Sequence, residues 1–118
     1  MGGRGAYWEK IGRDSKPGKT SDDIHFDDKQ FGKKVGKHAS DFGLNPNDPE
    51  GRAKFAEITK NILDNPDEMR IGTWRGQTER VVFYIKGEDV VVVNSLKEYV
   101  TTLKNGAQNK RVKGASKI

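Results

Sequence analysis

Within twelve residues, Gly32–Gly43 (GKKVGKHASDFG) holds an imidazole, a carboxylate and three lysines. At about 100° per residue, a helix puts Phe31, Val35 and Phe42 on one stripe with His38 at its border. Lys34 at i−4 and Asp41 at i+3 then flank the ring on its polar side. A histidine set between core and cations, steadied by a carboxylate, suits proton transfer beside a polyanion. The chemistry this suggests is general acid–base attack on a phosphodiester. The plain alternative is a hydrogen-bonded structural histidine. Little else is on offer, because His25 is the only other histidine and the chain has no cysteine. That excludes disulfides, thiolate nucleophiles and cysteine-type zinc sites. No second His, Cys or carboxylate falls at ligand spacing beside His38. Asp22-Asp23 and Asp27-Asp28, near His25, read as helix-start charges. Neither a metal nor a cofactor is expected.

Two further groups carry candidate chemistry. Between Gly72 and Gly76, Trp74 offers a stacking surface and Arg75 a guanidinium that can grip phosphate at two points. The competing reading is a core tryptophan beside a solvated arginine. In Glu98–Lys104, a strand threonine can hydrogen-bond a phosphate oxygen and Lys104 can neutralise charge, although threonine also simply suits strands. Thr101 and Thr102 face opposite sides of a strand, so only one can serve a site.

The elements that must position these groups follow from the hydrophobic period. A first helix is expected over 27–42, with Asp27 or Asp28 as N-cap and Gly43 as its stop. Gly32 and Gly36 within it suggest either close approach of a backbone or ligand, or a frayed helix. A second helix starts at Asp48-Pro49, buries Phe55, Ile58 and Ile62, and ends at Asn65-Pro66. The period then shortens. Strands are expected at Arg70–Arg75, Arg80–Lys86, Val90–Val93 and Tyr99–Leu103, with a hairpin turn at Gly87-Glu88. Four consecutive valines read as a central strand covered on both faces. The fold class expected is α+β, two N-terminal helices packed on a four-stranded antiparallel sheet (three to five strands).

Length and charge bound the rest. The 118 residues suffice for one domain, and a mean hydropathy of −0.88 places part of the chain outside a core. Of the 22 Lys and Arg, ten lie in residues 1–20 and 104–118, with two of the 17 Asp and Glu; residues 21–103 keep 12 against 15. The net +5 is thus a property of the ends, and any nucleic-acid function needs a focused site. Residues 1–23 read as a flexible lead, 24–106 as the domain and 107–118 as a basic tail. No apolar run approaches the roughly 20 residues of a membrane span, and no signal segment opens the chain. Lack of cysteine fits work in a reducing cytosol, or easy unfolding for membrane passage.

The segments GKKVGKHASDFGLNP, DPEGRAKFAEITKNI, IGTWRGQ, VVFYIKGEDVVVV and EYVTTLKNGAQN, taken in order, resemble the C-terminal tRNase toxin domains of contact-dependent growth inhibition proteins and related polymorphic toxins. These belong to a broad nuclease group that includes barnase, colicin D and RelE. The resemblance covers residues 27–110, and its most specific parts are the KH-x-x-DFGL helix end and the strand ending Thr-x-x-Lys. It implies a barnase/RelE-like architecture with its site in the sheet's cleft. It also implies metal-independent cleavage of RNA, most of all tRNA, and a cognate immunity protein. For some toxins of this type it implies elongation factor Tu as a presenting partner. Its motif positions fall on His38, Lys34 or Lys37, the Arg75 segment and Thr101. The toxin would be secreted or displayed as part of a larger protein and act in the target bacterium's cytoplasm.

The resulting expectation has His38, Lys34, Arg75 and Thr101 as catalytic residues and Lys37, Trp74 and Lys104 as RNA contacts. A 2′-hydroxyl attack would leave a 2′,3′-cyclic phosphate. An immunity protein that plugs a lysine-lined cleft should be acidic. The competing readings are a non-enzymatic RNA- or ribosome-binding module and a metal-dependent DNase.

Overall fold

In the computed structural model, which describes residues 20–118, a helical turn α1 (Thr20–Asp23) leads into helix α2 (Asp28–His38), a 3-10 turn (Ala39–Phe42) and helix α3 (Pro49–Asp64). Four strands follow: β1 (Glu68–Gly72), β2 (Val81–Lys86), β3 (Asp89–Asn94) and β4 (Tyr99–Leu103). The chain closes through a second 3-10 turn (Gly106–Gln108), the short helix α4 (Lys110–Lys113) and β5 (Ser116–Lys117). All pairings in the single sheet are antiparallel, in the order β4-β3-β2-β1-β5. The α+β expectation holds, with five strands.

Local chemistry explains the helix limits. The Asp27 carboxylate accepts hydrogen bonds from the Lys29 and Gln30 amides, and Asp48 caps α3 with Pro49 behind it. Gly43 adopts φ 76°, the left-handed stop that favours glycine. The helix expected through residue 42 tightens to 3-10 from Ala39, a common way to end a helix. Among the described residues, nothing outside the helix's own backbone lies within 4 Å of where a Cβ on Gly32 or Gly36 would sit, so no neighbouring backbone packs against them there. Strand β1 ends at Gly72 rather than Arg75, because the chain then leaves the ladder to cross the sheet.

Both sheet faces are covered. On one, Val82, Tyr84, Val91, Val93 and Tyr99 pack against Ile62 and Leu63 of α3 and against Ile24. On the other, Val81, Phe83, Ile85, Val90 and Val92 pack against Val112 and the half-buried Trp74. Strand β4 carries one extra residue. Val92 pairs with Thr101 but Val93 with Tyr99, which leaves Val100 as a bulge. Residues three apart normally face opposite sides of a strand. The extra residue resets that phase, so Tyr99 and Thr102 share the α3 face and their hydroxyls meet at 2.7 Å. Thr59 of α3 completes the set, its Oγ1 2.7 Å from that of Thr102. The bulged carbonyl of Val100 accepts a 2.8 Å hydrogen bond from Gln30 Nε2, which ties α2 to the sheet.

Two expected boundaries are corrected. Residues 107–118 are not a tail outside the domain. Val112 is fully buried, Arg70 Nη1 donates to its carbonyl at 2.8 Å, and β5 pairs with β1. The basic side chains had masked one apolar residue at the right distance to close a sheet face. Of the expected lead, residues 1–19 lie outside the described residues, whereas Thr20–Asp23 belong to the domain. Ser21 donates from its amide and hydroxyl to the Asp64 carboxylate at 2.7 and 2.9 Å. Val112→Ala is therefore expected to cost about 2 kcal/mol through lost transfer energy and a residual cavity. Urea unfolding would read this as a lower midpoint; an unchanged midpoint would return 107–118 to the status of a tail.

Candidate active site

Two contacts fix how α2 lies along the edge strand. Gln30 meets Val100 near the helix start, and the Lys104 ammonium sits 5.4 Å from the ring centre of Phe42 just past its end. Twelve residues of helix rise roughly 18 Å and four of strand roughly 13 Å, so α2 and β4 run side by side in one direction. Lys34 and His38 fall between those points on the helix, and Thr101 on the strand. The same geometry sends Lys104 toward Phe42 and a groove of about 580 Å³ that also includes Ile58, Asp67 and Asp89. Lys104 is thus grouped with the end of α2 rather than with Lys34.

The segment between β1 and β2 reaches this edge from the far side of the sheet. Trp74 packs edge-on against Phe83 of β2, with ring centres 6.0 Å apart. Arg75, the next residue, is close enough to Lys34 to act on its charge, and Gln77 shares a cleft with Gln30 and Val100. Residues 73–80 therefore cross from β1 to α2 over β2 and β3. Trp74 is first a packing residue that aims its neighbour. Thr101 lies in this face's cross-strand row, Thr101–Val92–Phe83.

The electrostatics of the cluster are one-sided. Burial, then the charges of Lys37, Arg75 and Lys33, hold the Lys34 ammonium below its ordinary pKa. Among the described residues, none of these four cations has a carboxylate within ion-pair distance. His38 is the exception in its surroundings, with Nδ1 3.3 Å from Asp41 Oδ2. With Asp41 accepting from Nδ1–H, the Nε2 lone pair is the free, basic side of the ring. Its side chain keeps 15% exposure, enough to meet a ligand. The two threonines differ in their partners. Thr102 is spent on the buried hydroxyl set, whereas Thr101 Oγ1 is buried without a hydrogen bond among the described residues. Such a hydroxyl costs about 1–3 kcal/mol unless something else satisfies it. Among the described residues, no group of three or more His, Asp or Glu converges as a metal site.

Of the residues expected from sequence, Lys34, Lys37 and Arg75 share one electrostatic cluster. His38 stands on the next turn of the same helix, and Thr101 on the adjacent strand. Lys33 joins the cluster unannounced, as do the cleft residues Gln30 and Gln77. A glutamine carries no periodic or motif signal, so only the crossing of residues 73–80 reveals the last two.

Residues 30–111 match the family model described as colicin D. The chain belongs to the colicin D family. That match spans α2 through α4 and so includes each site residue named above. Colicin D proteins are tRNA-cleaving toxins that are delivered to target cells and act there, and this chain is a toxin domain of that kind. No curated protein and no solved structure matches it. Among the described residues, no helix is long and apolar enough to cross a membrane.

A lysine with a lowered folded-state pKa destabilises the fold while it is charged. Between that value and its unfolded pKa the unfolded chain binds more protons, so stability rises with pH through that window. Lys34→Met is expected to raise the urea midpoint at pH 7 and to show a smaller gain as pH approaches 10.5. A gain independent of pH, or a loss at pH 7, would contradict the repulsive cluster.

Proposed function

We propose that this domain is a metal-independent endoribonuclease that cuts tRNA by attack of a ribose 2′-hydroxyl on the adjacent phosphorus. The observation that carries this reading is the gathering of Arg75 with Lys33, Lys34 and Lys37 beside the Asp41-held imidazole. Cations that repel one another in the free protein are stabilised when an anion enters, most strongly one that gains charge on the way to its transition state.

In this scheme Asp41 holds the His38 tautomer and Nε2 takes the proton of the 2′-hydroxyl. The new O2′–P bond forms as the P–O5′ bond breaks, leaving a 2′,3′-cyclic phosphate and a 5′-hydroxyl. The leaving oxygen needs a proton. Lys34 supplies it, since burial and its cationic neighbours make its ammonium a better acid than an ordinary lysine. Arg75 and Lys37 stabilise the phosphorane-like charge. Thr101 turns its unpaired hydroxyl to a non-bridging oxygen once substrate shifts the edge strand, and Trp74 anchors the loop that carries Arg75. An acidic immunity protein covering this cluster, and delivery by contact-dependent growth inhibition, complete the reading.

His38→Ala is expected to lower tRNA cleavage by about 10²–10⁴ while RNA binding stays within a few-fold. Gel mapping of cleavage ends should show no cut in DNA or at a 2′-deoxy scissile nucleotide, and no effect of EDTA. Cleavage of either substrate, or dependence on Mg²⁺, would overturn the scheme. Thr101→Val separates function from folding at the strand. It removes a hydroxyl that the fold leaves unpaired, so the thermal midpoint should hold or rise while cleavage falls. Unchanged cleavage would remove Thr101 from the site.

A further inference from the structure

We propose that the cleft one helical turn before Lys34 is a nucleobase pocket that reads the donor-rich edge of guanine in a nucleotide flanking the cut. This inference rests on the nuclease reading for its substrate, but its geometry stands apart from the catalytic groups. The cleft encloses about 260 Å³, and its walls carry two carboxylates, Asp27 and Glu98, three carboxamides, Gln30, Gln77 and Asn94, and the His25 imidazole.

Its position ties it to the site through three separate elements. Gln30 precedes Lys34 by about one turn of α2, Gln77 follows Arg75 by two residues, and Val100 adjoins Thr101. One helical turn is about 5.4 Å, a short step along a nucleotide chain. An RNA linkage held at the cations thus places a neighbouring base at the cleft, provided that base is splayed from its stack, as bases in RNA loops are.

The chemistry of the walls selects a base edge rather than a phosphate. None of the four clustered cations lines the cleft, and two of its walls are carboxylates, which accept hydrogen bonds only. Their orientation is set in advance. Asn94 Oδ1 accepts from the Leu96 and Glu98 amides at 2.9 Å each, and Asn94 Nδ2 donates to Glu98 Oε1 at 2.8 Å. Lys97 takes φ 64° within that turn. Glu98 Oε2 is left without a bond among the described residues. Asp27 spends Oδ1 on the helix cap and keeps Oδ2. Gln30 spends Nε2 on Val100 and keeps its amide oxygen. Acceptor atoms of Asp27, Gln30 and Glu98 are thus left without bonds among the described residues, more of them than the donors of His25 and Gln77 can match, which favours a base edge that donates. Guanine presents two adjacent donors, N1–H and the N2 amino group. Uracil presents one N–H between two carbonyls that the carboxylates would repel.

The test compares hairpin RNAs that differ only in the bases flanking the cut, each at both sides, with wild type, Glu98→Gln and Gln77→Ala. Wild type should favour guanine over uracil at one flank by about tenfold in kcat/KM. Glu98→Gln preserves the bond from Asn94 but replaces a free acceptor with a donor, and should collapse that ratio toward one. Gln77→Ala should reduce it. A wild-type preference untouched by either substitution, or no preference at all, would overturn the pocket. A second arm adds guanosine or uridine, which carry no phosphate, to ¹⁵N-labelled wild-type protein. Guanosine should shift the side-chain amide signals of Gln30, Gln77 and Asn94, and uridine should not. Absence of that difference also overturns the pocket. If the wild-type protein cuts no RNA, the nuclease reading falls by itself and the guanosine arm still decides the pocket.

Discussion

The extra residue in strand β4 sets the phase of everything around it. In a regular strand Tyr99 and Thr102 would face opposite sides of the sheet, and no hydroxyl bond could join them. The bulge at Val100 brings both to the α3 face, where Thr59 closes a buried set of three hydroxyls. A slip of one residue would bury Thr101 there and turn Thr102 to the other side, leaving polar groups unpaired on both. The same bulge frees a backbone carbonyl, which Gln30 takes up. One irregularity thus fixes which threonine joins the hydroxyl set and offers α2 a carbonyl to hold at the edge.

The cluster itself works against the fold. Lysines 33, 34 and 37 and Arg75 face one another without carboxylate partners among the described residues, and Lys34 is partly desolvated as well. Elsewhere among the described residues, α2 and α3 are capped, both sheet faces are covered and the buried threonines of the α3 face are paired. Departures from such consistency concentrate where a protein must bind or react. The Thr101 hydroxyl and the cations left without partners among the described residues lie toward the same edge, which makes that edge, rather than the larger groove beside Lys104, the candidate site.

Much of the architecture was legible in the residues. Asp27, Asp48-Pro49 and Gly43 announce helix limits through hydrogen bonds that span only a few positions. The valine run announces a strand buried on both sides, and Tyr99–Leu103 is found where expected. The tail reading failed for a physical reason. Val112 is a lone apolar residue among lysines, and its burial depends on a sheet face that no local pattern describes. The site was half legible. His38 with Lys34 and Asp41 is a helical neighbourhood, written in the spacing. The convergence with Arg75 is not, since forty residues separate them along the chain.

What the chain carries in its own order is chemistry at short range: which side chains can move a proton, which can hold an anion, and where helices and strands begin. These depend on hydrogen bonds and side-chain neighbours within about one turn or one pleat. Fold assembly set which sheet face each of Thr101 and Thr102 takes, brought Arg75 and Gln77 to α2, and drew Val112 into the core. Each of those outcomes depends on strand register and on a segment crossing the sheet, and both are set by packing between residues far apart in sequence.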